Sequence, residues 1–249
     1  DGHAIALLDV SSETDSVPRN SAFHDAVDAV AGAALAHGAD VPAGVPCHLD
    51  VSTFGALHAG DMTVTERLQL SSSTLGENIQ LRQGAVLRPA ASGGVVCGYL
   101  HNRHSPTVGT AGAIISLASE STNVAALEAL GAQLCMHIVA AKPFALSSAE
   151  LRQADLDAEL DVLMDVTRAE LKDKGQPADE NKCEKIARKR LDKFKSESSL
   201  LSQKFVVDES AGTIAKLLEA EAEELGASVQ ISGFYRLAIG EQRHPYSTY

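Results

Sequence analysis

A polar stretch near the start of the chain combines two carboxylates with four hydroxyl groups. It runs from Ser11 to Asn20 and has the sequence SSETDSVPRN. Glu13 and Asp15 could act as an acid–base pair, but alternate positions in a loop fix no mutual geometry. Two other roles stay open for these carboxylates, namely capping of the helix that follows and contact with a partner.

Histidines and cysteines offer further candidates for chemistry. His101 and His104 have the spacing of two metal ligands, but no other His or Cys stands at a familiar zinc spacing, and exposed turn histidines are the alternative. His137 is either a structural helix histidine or a partner contact. The cysteines are Cys47, Cys97, Cys135 and Cys183. Their wide separation predicts four buried free thiols in a reducing compartment, and we expect neither metal nor cofactor.

The motifs of the common enzyme classes do not occur in the sequence. It contains no phosphate-binding loop, dinucleotide fingerprint, serine-hydrolase elbow or His-Glu-x-x-His zinc motif. A basic run over 185–195 is interleaved with acidic residues and is typical of a solvated helix face. We therefore expect a protein that is not an enzyme.

Composition and charge exclude several classes of partner. The 249 residues are 45% hydrophobic, which suffices for a substantial core, and the formal net charge is −12. Residues 1–81 hold eleven acids against two bases, and the chain has no tryptophan, so neither a nucleic-acid groove nor a base-stacking platform is expected. No window approaches the roughly 18 uncharged apolar residues of a membrane span.

Hydrophobic periodicity predicts the elements that position the polar stretch. A buried strand covers 3–10, and a helix follows with Asn20 as its N-cap. The Gly- and Pro-rich residues 38–60 predict a long surface loop or insertion. A further helix is expected over about 63–75. The polar stretch thus connects a strand to a helix.

Three apolar runs in the middle of the chain predict an antiparallel sheet. They cover residues 79–87, 94–100 and 112–117. Gly93 and Gly94 favour a hairpin turn between the first two. The third run leads into a second Ser-Glu loop and a second alanine-rich helix, which Thr122 or Asn123 can cap. This echo of the start of the chain predicts two similar subdomains.

The last third of the chain is predicted to be mainly helical. Ser147 and Glu150 have capping-box spacing ahead of a helix with a leucine stripe. A second, strongly charged helix follows a Gly- and Pro-containing break, so an antiparallel hairpin is expected over about 155–200. A helix over about 210–225 then leads into a closing strand over 229–239.

Together these elements predict an α+β fold. It consists of two similar subdomains, each with an antiparallel sheet flanked by helices, and a projecting helical hairpin. We place the first core subdomain at 1–106, with the insertion 38–60, and the second at 107–249, with the hairpin.

Six stretches of the sequence, in the same order along the chain, resemble motifs of elongation factor Ts, the guanine-nucleotide exchange factor of elongation factor Tu. They are LLDVSSETDSVPRN, GENIQLRQG, LCMHIVAAKP, GQPADENKCEKIARKRLDKF, SLLSQKFVVD and SGFYRLAIGE. These stretches extend over nearly the whole chain. The resemblance implies a core of two similar subdomains and a helical hairpin, in agreement with the pattern above.

The resemblance also implies a partner-binding site. In the family, an Asp-Phe pair in the first loop is pushed into the GTPase, disturbs its magnesium and nucleotide site and speeds the loss of GDP. Asp15 and Ser16 occupy those two positions. The residues implied to bind the partner are Thr14, Asp15, Ser16, Val17, Val108, Gly109 and His137. We expect them to form one contiguous surface.

Two departures from the family divide the functional hypotheses. Ser16 stands where the family has Phe, with the stiffening Pro18 close behind, and these 249 residues do not contain the family's amino-terminal three-helix domain. The leading hypothesis is a factor of organellar translation, in the mitochondrial matrix, that binds elongation factor Tu and promotes GDP release; a plastid or a bacterial cytoplasm are alternatives. The rival is a structural subunit of a larger organellar complex without exchange activity, which both departures favour.

Overall fold

The computed structural model describes residues 4–38 and 41–241. The predicted strand start at His3, residues 39–40 of the predicted insertion and residues 242–249 lie outside the described residues. The chain divides into two units. The first holds the chain up to Ala141 and the stretch that begins at Leu218, and the second holds Lys142–Leu217.

The first unit contains two three-stranded antiparallel sheets and the helices that flank them. Its strands are β1 (Ile5–Ser11), β2 (Cys47–His48), β3 (His58–Ala59), β4 (Met62–Thr63), β5 (Gln80–Leu87), β6 (Gly94–His101), β7 (Ala111–Ser119) and β8 (Val229–Ala238). Its helices are α1 (Ser21–His37), α2 (Val51–Phe54), α3 (Val64–Leu75) and α4 (Val124–Ala141). One sheet has the order β1-β5-β2 and the other β6-β7-β8, while β3 and β4 form a short separate ribbon. The predicted α+β fold is confirmed.

Each face of β1 contributes to a different core. Leu7 belongs to a cluster with Leu87 and Ile114, where the two sheets face each other. Leu8 points the opposite way and packs against the cluster that contains Val30 of α1. The alternation is that of any strand, whose successive side chains point to opposite faces. Because both faces are covered, the first four residues of β1, Ile5–Leu8, are all apolar instead of alternating with polar ones.

Helix α4 covers the outer face of the second sheet. Leu127, Leu134 and Ile138 are fully buried on one side of the helix, at the spacing of an amphipathic face. Asn123 accepts a hydrogen bond from the N–H of Ala126 at 3.2 Å, so it is one of the two predicted caps.

By length and composition, α4 could also cross a membrane. Its mean hydropathy is 1.6 over 18 residues. Because Glu128 lies within the helix, it is not an uncharged apolar run, and the sequence analysis did not predict it as a membrane span. Seven of these residues are buried inside the protein. The core helices of globular proteins commonly meet the same criterion, so α4 is weak evidence for a membrane span.

The predicted hairpin between the first two apolar runs is wrong. β5 pairs with β1 and β2, whereas β6 pairs with β7. The chain crosses from one sheet to the other between β5 and β6, so these neighbours in sequence lie in different layers. Gly94, with φ of 119°, is needed at this crossing because a Cβ there would clash with the carbonyl oxygen of Leu117.

The Gly- and Pro-rich stretch after α1 is not merely a surface loop. It forms β2, α2 and β3, and it buries Val41, Leu49 and Phe54 in the core beneath α1. Asp50 caps α2 by accepting a hydrogen bond from the N–H of Ser52 at 3.0 Å. The apolar residues that enter this core are too widely spaced to show a helical or strand period, so the sequence pattern missed them.

The second unit contains the helical hairpin. α5 (Gln153–Asp173) and α6 (Glu180–Ser198) pack against each other, and α7 (Ile214–Leu225) begins in this unit. Leu156 and Leu191 meet in a small apolar cluster. A short connection joins the end of α5 to the start of α6, and an ion pair of 2.6 Å links Arg190 to Glu170 across the two helices.

The predicted capping box of α5 does not form. The carboxylate of Glu150 accepts a hydrogen bond from the N–H of Leu146 at 3.0 Å, and Ser148–Glu150 is a short 3-10 turn. α5 begins only at Gln153, with no side-chain cap at Arg152. The capping-box residues close a tight turn here because the chain bends once more before the helix starts.

Gly131 of α4 provides a test of the packing of this helix on the second sheet. An added Cβ would clash with the Sγ of Cys97 and would lie 2.8 Å from its Cβ, so Gly131→Ala is expected to lower the free energy of unfolding by about 1–3 kcal/mol. The matched control is Gly32→Ala in α1, where the added Cβ would meet no neighbouring atom within 4 Å. The free energy of unfolding is expected to rise by about 0.5–1 kcal/mol. Urea denaturation measures both, and equal effects would contradict this packing.

Candidate partner-binding site

The loop after β1 is exposed at its tip and anchored at its end. Thr14, Asp15 and Ser16 are exposed, whereas Val17 is only 6% exposed and belongs to the core beneath α1. Asn20 accepts a hydrogen bond from the N–H of Ala22 at 2.9 Å and so caps α1, as predicted. Because Asn20 performs the capping, this role is not left for the loop carboxylates.

The start of the loop is tied to Glu77, which follows α3. The backbone N–H of Thr14 donates to Oε2 of Glu77 at 2.9 Å, and the Thr14 hydroxyl donates to Oε1. The Thr14 hydroxyl also lies 2.8 Å from Oγ of Ser16, and the Oγ of Ser12 donates to the Thr14 carbonyl at 2.9 Å. The hydrogen bonds from Thr14 lower the pKa of Glu77 below its usual value, because they favour the ionised carboxylate. The tip is therefore fixed on both sides.

The connection between β6 and β7 reaches the same core as this loop. Val108 is 7% exposed and belongs to the cluster that contains Val17. Gly109 is half-buried, and a Cβ there would lie 2.7 Å from the carbonyl oxygen of His101. Next to Val108 lies a largely apolar cavity of about 430 Å³, lined by β1, Phe23 and the β6–β7 connection. The two segments implied by the resemblance are thus brought to one hydrophobic cluster.

His137 lies on the buried side of α4. It is 0% exposed, together with its helix neighbours Leu134 and Ile138. Of the two roles that the sequence left open, this burial favours the structural histidine. That His137 belongs to a contiguous partner surface stays a prediction.

The other candidate groups are not assembled into a site. His101 is exposed, with Nδ1 at 3.2 Å from the Tyr99 hydroxyl, and His104 is half-buried. In the described part of the chain, no group of three or more His, Cys, Asp or Glu side chains is arranged to hold a metal ion.

The four cysteines are free thiols; Cys97, Cys135 and Cys183 are buried as predicted, whereas Cys47 is only half-buried. Burial raises the pKa of Cys97 to about 11 and that of Cys135 well above its usual value. Since the thiolate is the reactive form, these two cysteines are poor nucleophiles at neutral pH.

Sequence reasoning missed Glu77. The stretch GENIQLRQG served only as one of the motifs of the resemblance, and nothing in it indicates which loop its glutamate meets. The contact joins residues 63 positions apart, so only the pairing of the strands could have found it.

The fold and loop together define a class of protein. A scaffold of two sheets presents a short polar loop that is exposed at its tip and fixed at both ends, which suits recognition of another protein. A family model described as Elongation factor TS matches residues 13–241. The chain belongs to the elongation factor Ts family.

Individual relatives match almost the whole chain. An elongation factor Ts of Rhodopseudomonas palustris (strain TIE-1) is 35% identical over 241 residues, which are 97% of this chain and 72% of the relative. One from Maricaulis maris is 36% identical, with 95% and 70% covered. One from Sinorhizobium fredii is 34% identical, with 96% and 72% covered.

Alanine substitutions at His137 and Asp15 compare the contribution of a buried side chain to stability with that of an exposed one. His137→Ala removes a fully buried ring and is expected to lower the free energy of unfolding by about 2–4 kcal/mol. Asp15→Ala alters an exposed loop side chain and is expected to change it by less than about 0.5 kcal/mol. Chemical denaturation of both variants measures the difference. Similar stabilities would contradict the structural role of His137.

Proposed function

We propose that this chain binds an elongation factor Tu-like GTPase through the exposed residues Thr14, Asp15 and Ser16, which the buried Val17 anchors, and promotes release of its GDP. The observation that carries this proposal is the exposed tip of the loop, with Asp15 held between a clasped Thr14 and a buried Val17. Membership of the elongation factor Ts family supports a GTPase as the partner. The chain acts here as an exchange factor, without covalent chemistry of its own.

The geometry suits insertion into a nucleotide site. A carboxylate brought close to bound phosphates repels them and competes for their magnesium ion, and both effects are strong where water is excluded. A loop that is already ordered loses little conformational entropy on insertion, and that loss is otherwise about 1–2 kcal/mol for each residue fixed. Asp15 is thus placed to weaken the binding of GDP without first being ordered by the partner.

Ser16 sets the strength of the effect. It offers a hydroxyl, 2.8 Å from that of Thr14, where the family carries an apolar ring. Burial of a Phe side chain contributes roughly 1.5–3 kcal/mol, and each 1.4 kcal/mol is about tenfold in an equilibrium constant. The GTPase is therefore expected to release GDP more slowly with the natural loop than with a loop that has Phe at this position.

The same residue supports a second candidate function. A loop without an apolar wedge also suits a structural subunit that keeps the fold of the family and does not exchange nucleotides. In that role the loop would face a permanent neighbour in a larger organellar complex. Binding to the GTPase distinguishes the two functions.

The relatives bear on the compartment in which the protein acts. The relatives described above are bacterial, which favours translation in a bacterial cytoplasm over the mitochondrial matrix that we expected from the sequence. Localisation of the endogenous protein together with its co-purifying partners would decide between them.

Substitution of Ser16 tests the proposed exchange. Ser16→Phe is expected to speed GDP release by tenfold or more, because the ring supplies the missing apolar contact, and Asp15→Ala is expected to slow it. Stopped-flow release of a fluorescent GDP analogue from elongation factor Tu measures the rates. Ser73→Phe, the same change on the exposed surface of α3, is the matched control and should have no effect.

Two outcomes would contradict the proposal. Fast release by the natural chain that neither Ser16→Phe nor Asp15→Ala alters would show that another surface performs the exchange. No binding of the GTPase by any variant would favour the structural subunit, since a wedge acts only on a partner that is already held.

A further inference from the structure

We propose that Glu77 is a positioning residue of the exchange loop, which it holds in the conformation that the partner meets. The inference rests on the proposed function, because it assigns a role in presenting Asp15. Glu77 lies 63 positions further along the chain and bonds to Thr14, the residue just before Asp15. Three observations support this role: the strand pairing that places Glu77 beside the loop, the hydrogen bonds that its carboxylate accepts, and the order that these bonds give the loop.

The pairing of β1 with β5 places Glu77 beside the loop. The last pair of the ladder is Ser11 with Gln80, and continuing the same register by three residues on each strand brings Thr14 opposite Glu77. A bulge at Asp9/Val10 sets this register. Without that one-residue shift, Thr14 would lie opposite Asn78, which has no charge to offer the loop.

Glu77 is itself held in place. Gly76 ends α3 in the left-handed conformation, with φ of 72°, and its N–H donates to the Ser72 carbonyl at 2.9 Å. Ile79 is 4% exposed, and its N–H donates to the Ser72 hydroxyl at 2.9 Å. The carboxylate thus extends from a short turn whose ends are fixed by a helix cap and by a core residue.

One carboxylate satisfies two donors of the loop. Its two oxygens accept hydrogen bonds from the backbone N–H and the hydroxyl of Thr14. Hydrogen bonds to an ionised acceptor are roughly twice as strong as those between neutral groups. In an exposed loop, which has few apolar contacts to order it, these bonds decide the backbone conformation just before Asp15.

The loop is fixed on its other side by a different force. Val17 is buried, and the 3-10 turn Val17–Arg19 leads directly into α1. Asp15 and Ser16 therefore form a two-residue tip between a polar clasp and an apolar anchor. Removal of Glu77 would free one end only, so we expect a loss of order in the loop without unfolding of the core.

Hydrogen exchange tests the clasp on the isolated protein. In Glu77→Ala the amide of Thr14 is expected to exchange about tenfold faster, while the amides of β5 and β7 keep their protection. Glu77→Gln retains one carbonyl acceptor and should give an intermediate rate. Glu120→Ala, at an exposed glutamate in the loop after β7, is the matched control and should leave Thr14 unchanged. Equal Thr14 exchange in Glu77→Ala and the natural chain would overturn the proposal.

Titration with elongation factor Tu·GDP tests the consequence for the partner. Glu77→Ala is expected to weaken the affinity by about fivefold to tenfold, while the rate of GDP release at saturating factor changes less than twofold, since the tip itself is intact. Unchanged affinity of Glu77→Ala would overturn the positioning role. Absence of binding by the natural chain would refute the proposed function instead. The hydrogen-exchange measurement needs no partner and would still decide whether Glu77 orders the loop.

Discussion

The antiparallel pairing of β1 with β5 is the constraint on which the rest of the first unit depends. It joins the start of the chain to residues some 75 positions later, and it builds the sheet that separates the two cores. Its bulge at Asp9/Val10 determines which residues meet where the ladder ends. The same pairing therefore supports the hydrophobic core and delivers the polar loop to Glu77.

Burial on both faces of β1 explains why a polar loop can be held rigidly at its end. Leu7 and Leu8 enter opposite cores, so neither a sliding register nor a rotated strand is compatible with the packing. The position of Ser11, the last residue of the strand, is thus well determined. From there only a few hydrogen bonds are needed to fix the exposed residues that follow.

The loop itself combines order with exposure. Its tip has little apolar surface to bury, and a free segment of this kind would sample many conformations. Val17 and Glu77 restrict that freedom by burial and by charged hydrogen bonds respectively. Such ordering before binding lowers the entropic cost of association, which matters most for a loop that lacks a large apolar anchor at Ser16.

The sequence by itself determined the long periodic elements and the family. Long periodic segments such as α1 and α4, the Asn20 and Asn123 caps, and the loop with Asp15 at its tip could be predicted because each depends on residues a few positions apart. The tertiary structure alone decided that β5 pairs with β1 and not with β6, and that Glu77 bonds to Thr14. It also decided that Phe54 and His137 are buried. These facts depend on which distant strands pair and in what register, and no local pattern records that choice, because the same apolar runs could form several sheets.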